Sequence, residues 1–471
     1  MRKTLALLLA AGFLYFVPSH PQPVKSQALA ATSKFQTVAN PIPNRYIVVL
    51  ATTDLSPIAT PAPTPVQAAP KGAQATSPSG QASAAQVINP DLIGQQFVAS
   101  PIPDDPVVVA TATSLTNTYG GSFSVTWSNA VKGFRLNSTE AQAIAMSGDS
   151  RVAFIVQDGA IAVGTPDGEP IVMVPDPNVE FQHPQPNASW GLDRIDQRYL
   201  PLDKNYEYHN NGLGVNVYVI DTGILPTHWE FGDRAFAIYD ALEGEGTGNT
   251  LGIDCNGHGS HVAGTIGGRT FGVAKRVRLF GVRVLNCQGT GAWSDVIDGV
   301  NFVTWHSRQP SQQGTPAVAN MSLGGASNRA VDAAVRNSIR AQVTYVVAAG
   351  NGASDASDYS PAGLPEAITV GATDKNDVRA EFSNYGPALD VFAPGVAIPS
   401  AWIGSGNVMI ATASGTSMAS PHVAGVVALY LQNHRTASPA AVRSALVGTS
   451  TTGVIKNPGE ASPNRLLFTE Y

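Results

Sequence analysis

The chain has 471 residues, 43% of them hydrophobic and 13% charged. It is long enough for one large domain with accessories, and its composition excludes disorder over most of the length. A formal charge of −6, spread without long like-charge runs, leaves no basic face for nucleic acid and no polybasic anchor for a membrane surface. Neither a G-x-x-x-x-G-K phosphate cradle nor an H-E-x-x-H zinc pattern occurs.

Arg2 and Lys3 precede the apolar run TLALLLAAGFLYFV, and ALA at 28–30 offers small residues to a signal peptidase. Residues 1–30 are therefore expected to be an export signal, the run being short for a membrane span. The only cysteines are Cys255 and Cys287. In an exported protein an even count suggests a bridge, with two free buried thiols as the alternative.

NRYIVVL at 44–50 reads as a short strand. Residues from about 51 to 90 are rich in Pro, Ala, Ser and Gln and read as a disordered insert. SFSVTW (122–127), KGFRLN (132–137) and RVAFIV (151–156) are strand-like. Between the last two, STEAQAIAMSG predicts a helix whose Thr139 and Gln142 have capping-box spacing. Residues 31–182 are thus expected to form a small α+β unit, ending in the loose segment TPDGEPIVMVPDPNVEFQHPQP.

From residue 183 to 471 the pattern alternates. VNVYVI (215–220) is a near-continuous apolar run, as for a strand covered on both faces. VRLFGVRVL follows, then a helix with Val296, Ile297, Val300 and Val303 on one side. AVANMSL, VTYVVAAG and EAITVGAT are further strands, and NRAVDAAVRNSIRA is a helix with Val331, Val335 and Ile339 at helical spacing. MASPHVAGVVALYLQNH and SPAAVRSALVG close the chain as helices. The expected fold class is α/β, a mainly parallel sheet flanked by helices on both faces. In such sheets functional residues gather beyond the carboxyl ends of the strands.

Asp221 sits there, directly after VNVYVI, although a lone aspartate is as readily a turn residue or a cap. Asn351 stands similarly after VTYVVAAG, and Asn tolerates tight turns. NGHGSHVAGTIGG (256–268) puts His258 and His261 at the opening of a helix. They could bind a metal, but no Cys or carboxylate follows at zinc-site spacing. SGTSMASPHVAG (414–425) places Ser414, Thr416 and Ser417 before a helix that any of them could cap. A strand-end Asp, a helix-start His, a strand-end Asn and a helix-start Ser together match the parts list for acyl transfer.

VIDTGI, NGHGSHVAGT, AAGN and SGTSMASPHVAG resemble the signatures of the subtilisin family of serine proteases, most of all its proteinase K and aqualysin branch, over about residues 186–469. The resemblance implies an Asp221, His258, Ser417 triad with Asn351 in the oxyanion hole; the order Asp, His, Ser is the one known for subtilisin. Only the resemblance selects His258 over His261. It further implies a specificity pocket walled by Ser322, Leu323 and Gly324 and by Ala348, Ala349 and Gly350. An extended substrate would add as a strand between 322–324 and the segment near Gly289 and Gly291. Small uncharged walls imply broad cleavage after apolar or aromatic residues, and Trp293 either shapes a more distant subsite or packs on its loop.

Cys255 and Cys287 coincide with one disulfide of aqualysin-like enzymes, whereas Ser357 and Ala388 stand where a second would be. Structural calcium is implied at Pro365, Ala367 and Asp390, and at Asp193, Asp196 and Gln197 with Asp203 or Asn205 nearby. Oxygen ligands suit Ca²⁺, the alternative being solvated loop carboxylates. The unit before residue 183 resembles the family's inhibitor propeptide. It is expected to assist folding and block the active site until self-cleavage near Phe181 to Pro184. The expected partners are protein and peptide substrates and the chain's own propeptide; the protein is expected to be secreted, a monomer, with no nucleic acid and no stable membrane association. Two readings compete: a binding protein on an inactive protease scaffold, and another serine hydrolase such as an esterase.

Overall fold

The computed structural model describes residues 34–51, 102–179, 182–242 and 252–471. The expected export signal, the Pro-rich insert beyond Ala51 and Phe181 lie outside the described residues.

The apolar run after residue 214 becomes the strand Asn216–Asp221, buried at every position. It lies inside a nine-stranded sheet whose order is Ala235–Asp240, Arg278–Arg283, Asn216–Asp221, Ala317–Met321, Val343–Ala348, Ile368–Thr373, Val391–Pro394, Arg465–Leu466 and Thr451–Thr452. Pairing is parallel until the final antiparallel pair. Alternation along the strand splits the core in two. Val217 and Val219 face the helices His258–Gly267, Thr416–Asn433 and Pro439–Thr449, while Tyr218 and Ile220 face Trp293–His306 and Arg329–Arg340. The expected α/β sandwich is observed, with its functional edge at the strands' carboxyl ends.

The leader forms a separate sheet in the order Phe35–Gln36, Val152–Ala162, Pro41–Leu50, Gly133–Asn137 and Ser122–Trp127. Its helix Glu140–Ser147 carries the predicted capping box between Thr139 and Gln142. A second helix, Pro106–Tyr119, has no counterpart in the sequence reading. Its β-branched run VVVATAT favours a strand by propensity, yet Val108, Ala112 and Leu115 bury one stripe, and Asp105 caps a start marked by Pro106.

Unassigned from sequence as well is the hairpin Ile398–Trp402 and Met409–Ala413. The segment read as loose contributes Ile171–Val172, which pairs with Met409 and Ile410. The end of the Val152–Ala162 strand also crosses onto the body and pairs with Thr290–Ala292. Among the described residues no helix is long and apolar enough to cross a membrane.

Candidate active site

Asp221 ends its strand and is fully buried. The turn after it presses on the start of the helix His258–Gly267, where a Cβ on Gly259 would run into the Gly223 carbonyl oxygen. Gly257 turns the chain into that helix at φ 112°, with the Trp402 ring where a side chain would stand. Asp254 ties the two pieces together. Its Oδ1 accepts from Thr222 Oγ1, Asn256 N and Gly257 N, and its Oδ2 from Ser260 N and Oγ, all at 2.7–2.9 Å.

So held, His258 Nδ1 lies 2.8 Å from Asp221 Oδ1, which also accepts from Thr222 N at 2.7 Å. With Nδ1 donating, Nε2 is left as the acceptor. Burial pushes the His258 pKa down, but the Asp221 charge and hydrogen bond, with help from Asp254, outweigh it and the net direction is up. His261, one turn on, is fully buried with Nε2 on the Ile398 carbonyl. Burial and then the neighbouring His258 charge push its pKa down to about 3. It is a neutral core histidine.

Ser417 stands in the first turn of Thr416–Asn433, whose N-cap is Gly415 with no side-chain cap. None of the three hydroxyls expected as caps serves as one. Ser414 Oγ accepts from Ala397 N and donates to Asp167 Oδ2, and Thr416 Oγ1 accepts from Gly350 N and donates to Asn351 Oδ1. Pro421 lies inside the helix and cannot donate to the carbonyl four residues back, that of Ser417. Ser322 Oγ takes that place at 2.8 Å. In this arrangement the Ser417 hydroxyl donates to the Ser322 carbonyl at 3.1 Å. Catalytic hydrogen bonds are commonly loose until substrate binds.

Asn351 Oδ1 accepts from Thr416 N and Oγ1, each at 2.9 Å, which leaves Nδ2 free to donate outward. A methyl built on Gly415 would stand 3.4 Å from Asn351 Nδ2 and 3.5 Å from Ser417 N. These donors therefore converge on one notch that glycine keeps open. His258, Ser417, Asn351 and Met418 line the same cavity.

A profile of the subtilase family, peptidase S8, matches residues 212–466. The chain belongs to the subtilase family. It is 55% identical over 287 residues to the "Extracellular serine proteinase" of Thermus sp. (strain Rt41A), an alignment covering 61% of this chain and 67% of that protein. It is 45% identical over 340 residues to the "Alkaline serine exoprotease A" of Vibrio alginolyticus, covering 72% of this chain and 59% of that one. The chain thus spans about three fifths to two thirds of the length of these relatives. The crystal structure of a cold-adapted subtilisin-like serine proteinase superposes with a TM-score of 0.56 at 47% identity, over 60% of this chain and 99% of that one.

In this subtilase the segments expected to grip substrate do line one pocket. Ser322, Leu323 and Gly324 face Ala348, Ala349 and Gly350, with Ser417 at one end. The edge at Gly289 and Gly291 is occupied by the chain's own leader, since Ile161 pairs with Gly291 and Val163 N donates to Gly289 O at 2.9 Å. Trp293 is buried, and Gly325 brings its ring and the Ile161 side chain together. Cys255 and Cys287 form a disulfide.

The calcium candidates differ. Asp390 has both oxygens engaged, by Arg443 Nη2 at 2.5 Å and Thr369 N at 2.9 Å; a cation beside Pro365 and Ala367 would have to displace that guanidinium. At the other site Asp193 accepts from Asp203 N and Lys204 N, Asp196 from Glu207 N, and Gln197 Nε2 donates to Tyr199 O and Pro201 O. Burial first, then the Asp193 and Asp203 charges, push the Asp196 pKa up to about 7 against the Glu207 hydrogen bond. Negative charge without a counter-ion fits a cation there. Among the described residues no three His, Cys, Asp or Glu side chains group to hold a metal by themselves, so backbone or amide oxygens such as that of Gln197 would have to complete the set.

Sequence reasoning missed Asp254 and the hydroxyls of Ser322, Ser260 and Thr416. The spacing D-x-x-G before the histidine was the one visible signal for Asp254. The others depend on contacts between distant segments.

Proposed function

We propose that this subtilase is an exported serine endopeptidase, held as a zymogen by its leader and cleaving broadly after apolar or aromatic residues. The observation that carries the reading is the convergence of the Asp221–His258 pair, Ser417 and the Asn351 amide on one cavity. Ser417 Oγ attacks the scissile carbonyl while His258 Nε2 takes its proton. Asp221 holds the tautomer and stabilises the imidazolium. The oxygen that becomes anionic is met by Asn351 Nδ2 and Ser417 N–H, and such a preorganised donor contributes roughly 3–4 kcal/mol, a figure known from subtilisin rather than derived from this geometry. His258 then protonates the leaving amine, and water repeats the sequence to release the acid.

The small uncharged pocket walls support the apolar preference. A cleft that already carries this chain's residues on both sides of Ser417 supports action inside polypeptides. The N-terminal apolar run and the name of the Thermus relative support export. Calcium bound by Asp193, Asp196 and Gln197 is read as structural, with no part in the chemistry. Proteins and peptides are the substrates of a monomer that needs no nucleic acid or stable membrane partner.

A fluorophosphonate should label the processed protein, and casein should be hydrolysed, with both lost in Ser417→Ala. Labelling that survives in Ser417→Ala, or turnover of simple esters without any proteolysis, would overturn the reading.

A further inference from the structure

We propose that the first peptide bond this chain hydrolyses is its own Gly164–Thr165, and that the freed stretch 165–173 stays on the body as a strand beside Met409–Ala413. The inference rests on the protease reading above and specifies its regulation.

Two edges of the body hold the leader's exit path, and the path changes edge at Gly164. Before it, Ala160, Ile161 and Ala162 pair antiparallel with Ala292, Gly291 and Thr290, and Val163 N still donates to Gly289 O. After it, Asp167 N donates to Thr412 O at 2.8 Å, Ile171 and Val172 pair with Ile410 and Met409, and Met173 N donates to Val408 O at 2.9 Å. Ser414 Oγ adds a 2.6 Å bond to Asp167 Oδ2. Gly164 lines both the specificity pocket and the cavity of His258, Asn351 and Ser417, whereas Thr165 and Pro166 line only the latter. Gly164 is therefore the last residue on the acyl side and Thr165 the first on the leaving side.

The pocket itself is not filled by the leader: a Cβ built on Gly164 meets nothing within 4 Å. Glycine gives the weakest anchorage possible at that position, so the first cut is slow by construction. His183, within the stretch where sequence alone set the cut, packs edge-on against Tyr208. Cleavage there is then a later trimming step.

The step balances as ordinary hydrolysis. The Gly164 carbonyl carbon bonds to Ser417 Oγ, the bond to Thr165 N breaks, and His258 delivers the serine proton to that amine. Water then frees a Gly164 carboxylate and restores the Ser417 hydroxyl. The new amine belongs to the body, tethered through residues 165–183, so the backbone bonds of Asp167 and Met173 need not be given up.

Purified full-length chain should be followed by intact mass, N-terminal sequencing and hydrogen exchange. The first new N-terminus is expected at Thr165, with Asp167 and Met173 amides still protected in the cut species. Gly164→Leu should speed this cut at least several-fold by filling the open pocket. A first cut elsewhere, including at 181–184, no acceleration in Gly164→Leu, or loss of protection at 165–173 on cutting would overturn the proposal while leaving the protease reading intact. Self-cleavage that persists in pure Ser417→Ala would instead overturn the protease reading.

Discussion

Asp221 Oδ1 serves both its own turn and the imbedded imidazole, accepting from Thr222 N and His258 Nδ1 at 2.7 and 2.8 Å. That double use has a pH consequence. The His258 pKa is raised above 6.5 because the Asp221 charge and hydrogen bond outweigh burial. A general base must be neutral, so activity should rise with pH and reach half its plateau above pH 6.5. In Asp221→Asn the raising influences of that carboxylate go while burial remains, so the acid limb of the kcat/KM profile should move to lower pH. The plateau should fall by about 10⁴-fold, the loss known for the same change in a serine-protease triad. An unmoved limb in that variant would remove Asp221 from the site.

The helix His258–Gly267 is delivered to the sheet by small residues and one buried carboxylate. Gly257 and Gly259 allow the approach, and Asp254 answers five donors from the strand turn and the helix start. Asp254→Ala would strand those donors in a dry interior, costing about 3–5 kcal/mol. A melting temperature lowered by several degrees, with kcat reduced because His258 is no longer held, is the expected result; unchanged melting would show that the network is dispensable. The helix Thr416–Asn433 shows the reverse relation. Its interior Pro421 removes a donor, and Ser322 from another strand end restores it at Ser417. Nothing local in SGTSMASPHVAG announces that partner, which is why its hydroxyls read as caps.

At the level of the molecule, leader and body share a polar seam as well as a strand. Arg45 bonds Asp158 at 2.6 Å, Arg135 bonds Asp295 at 2.9 Å, and Asp158 Oδ1 accepts from Ser294 N at the start of a body helix. Asn301 Oδ1 accepts from three successive leader amides, Ser128 to Ala130. On the far side of the body, Asp193 and Asp196 pin the 203–207 turn. If calcium completes that cluster, saturation at a hundred times the dissociation constant adds about 2.7 kcal/mol. Chelation should then lower the melting temperature by roughly 5 °C or more, added Ca²⁺ should restore it, and Asp196→Asn should not respond. A wild-type melting curve indifferent to chelator would remove the metal from this account.

The order of strands and helices, the two-layered core and the four chemical side chains were legible because each is written in a short segment: an apolar run, a 3.6-residue stripe, a motif of a dozen residues. Pro106–Tyr119 was not, since its β-branched residues speak for a strand until the leader sheet offers a surface for Val108, Ala112 and Leu115. Which hydroxyl meets which partner, Arg443 standing against Asp390, and the path of residues 160–173 through the cleft were decided only on folding. Hydrogen bonds and ion pairs act over a few ångströms between residues hundreds of positions apart, and such neighbours exist only once the chain has closed on itself.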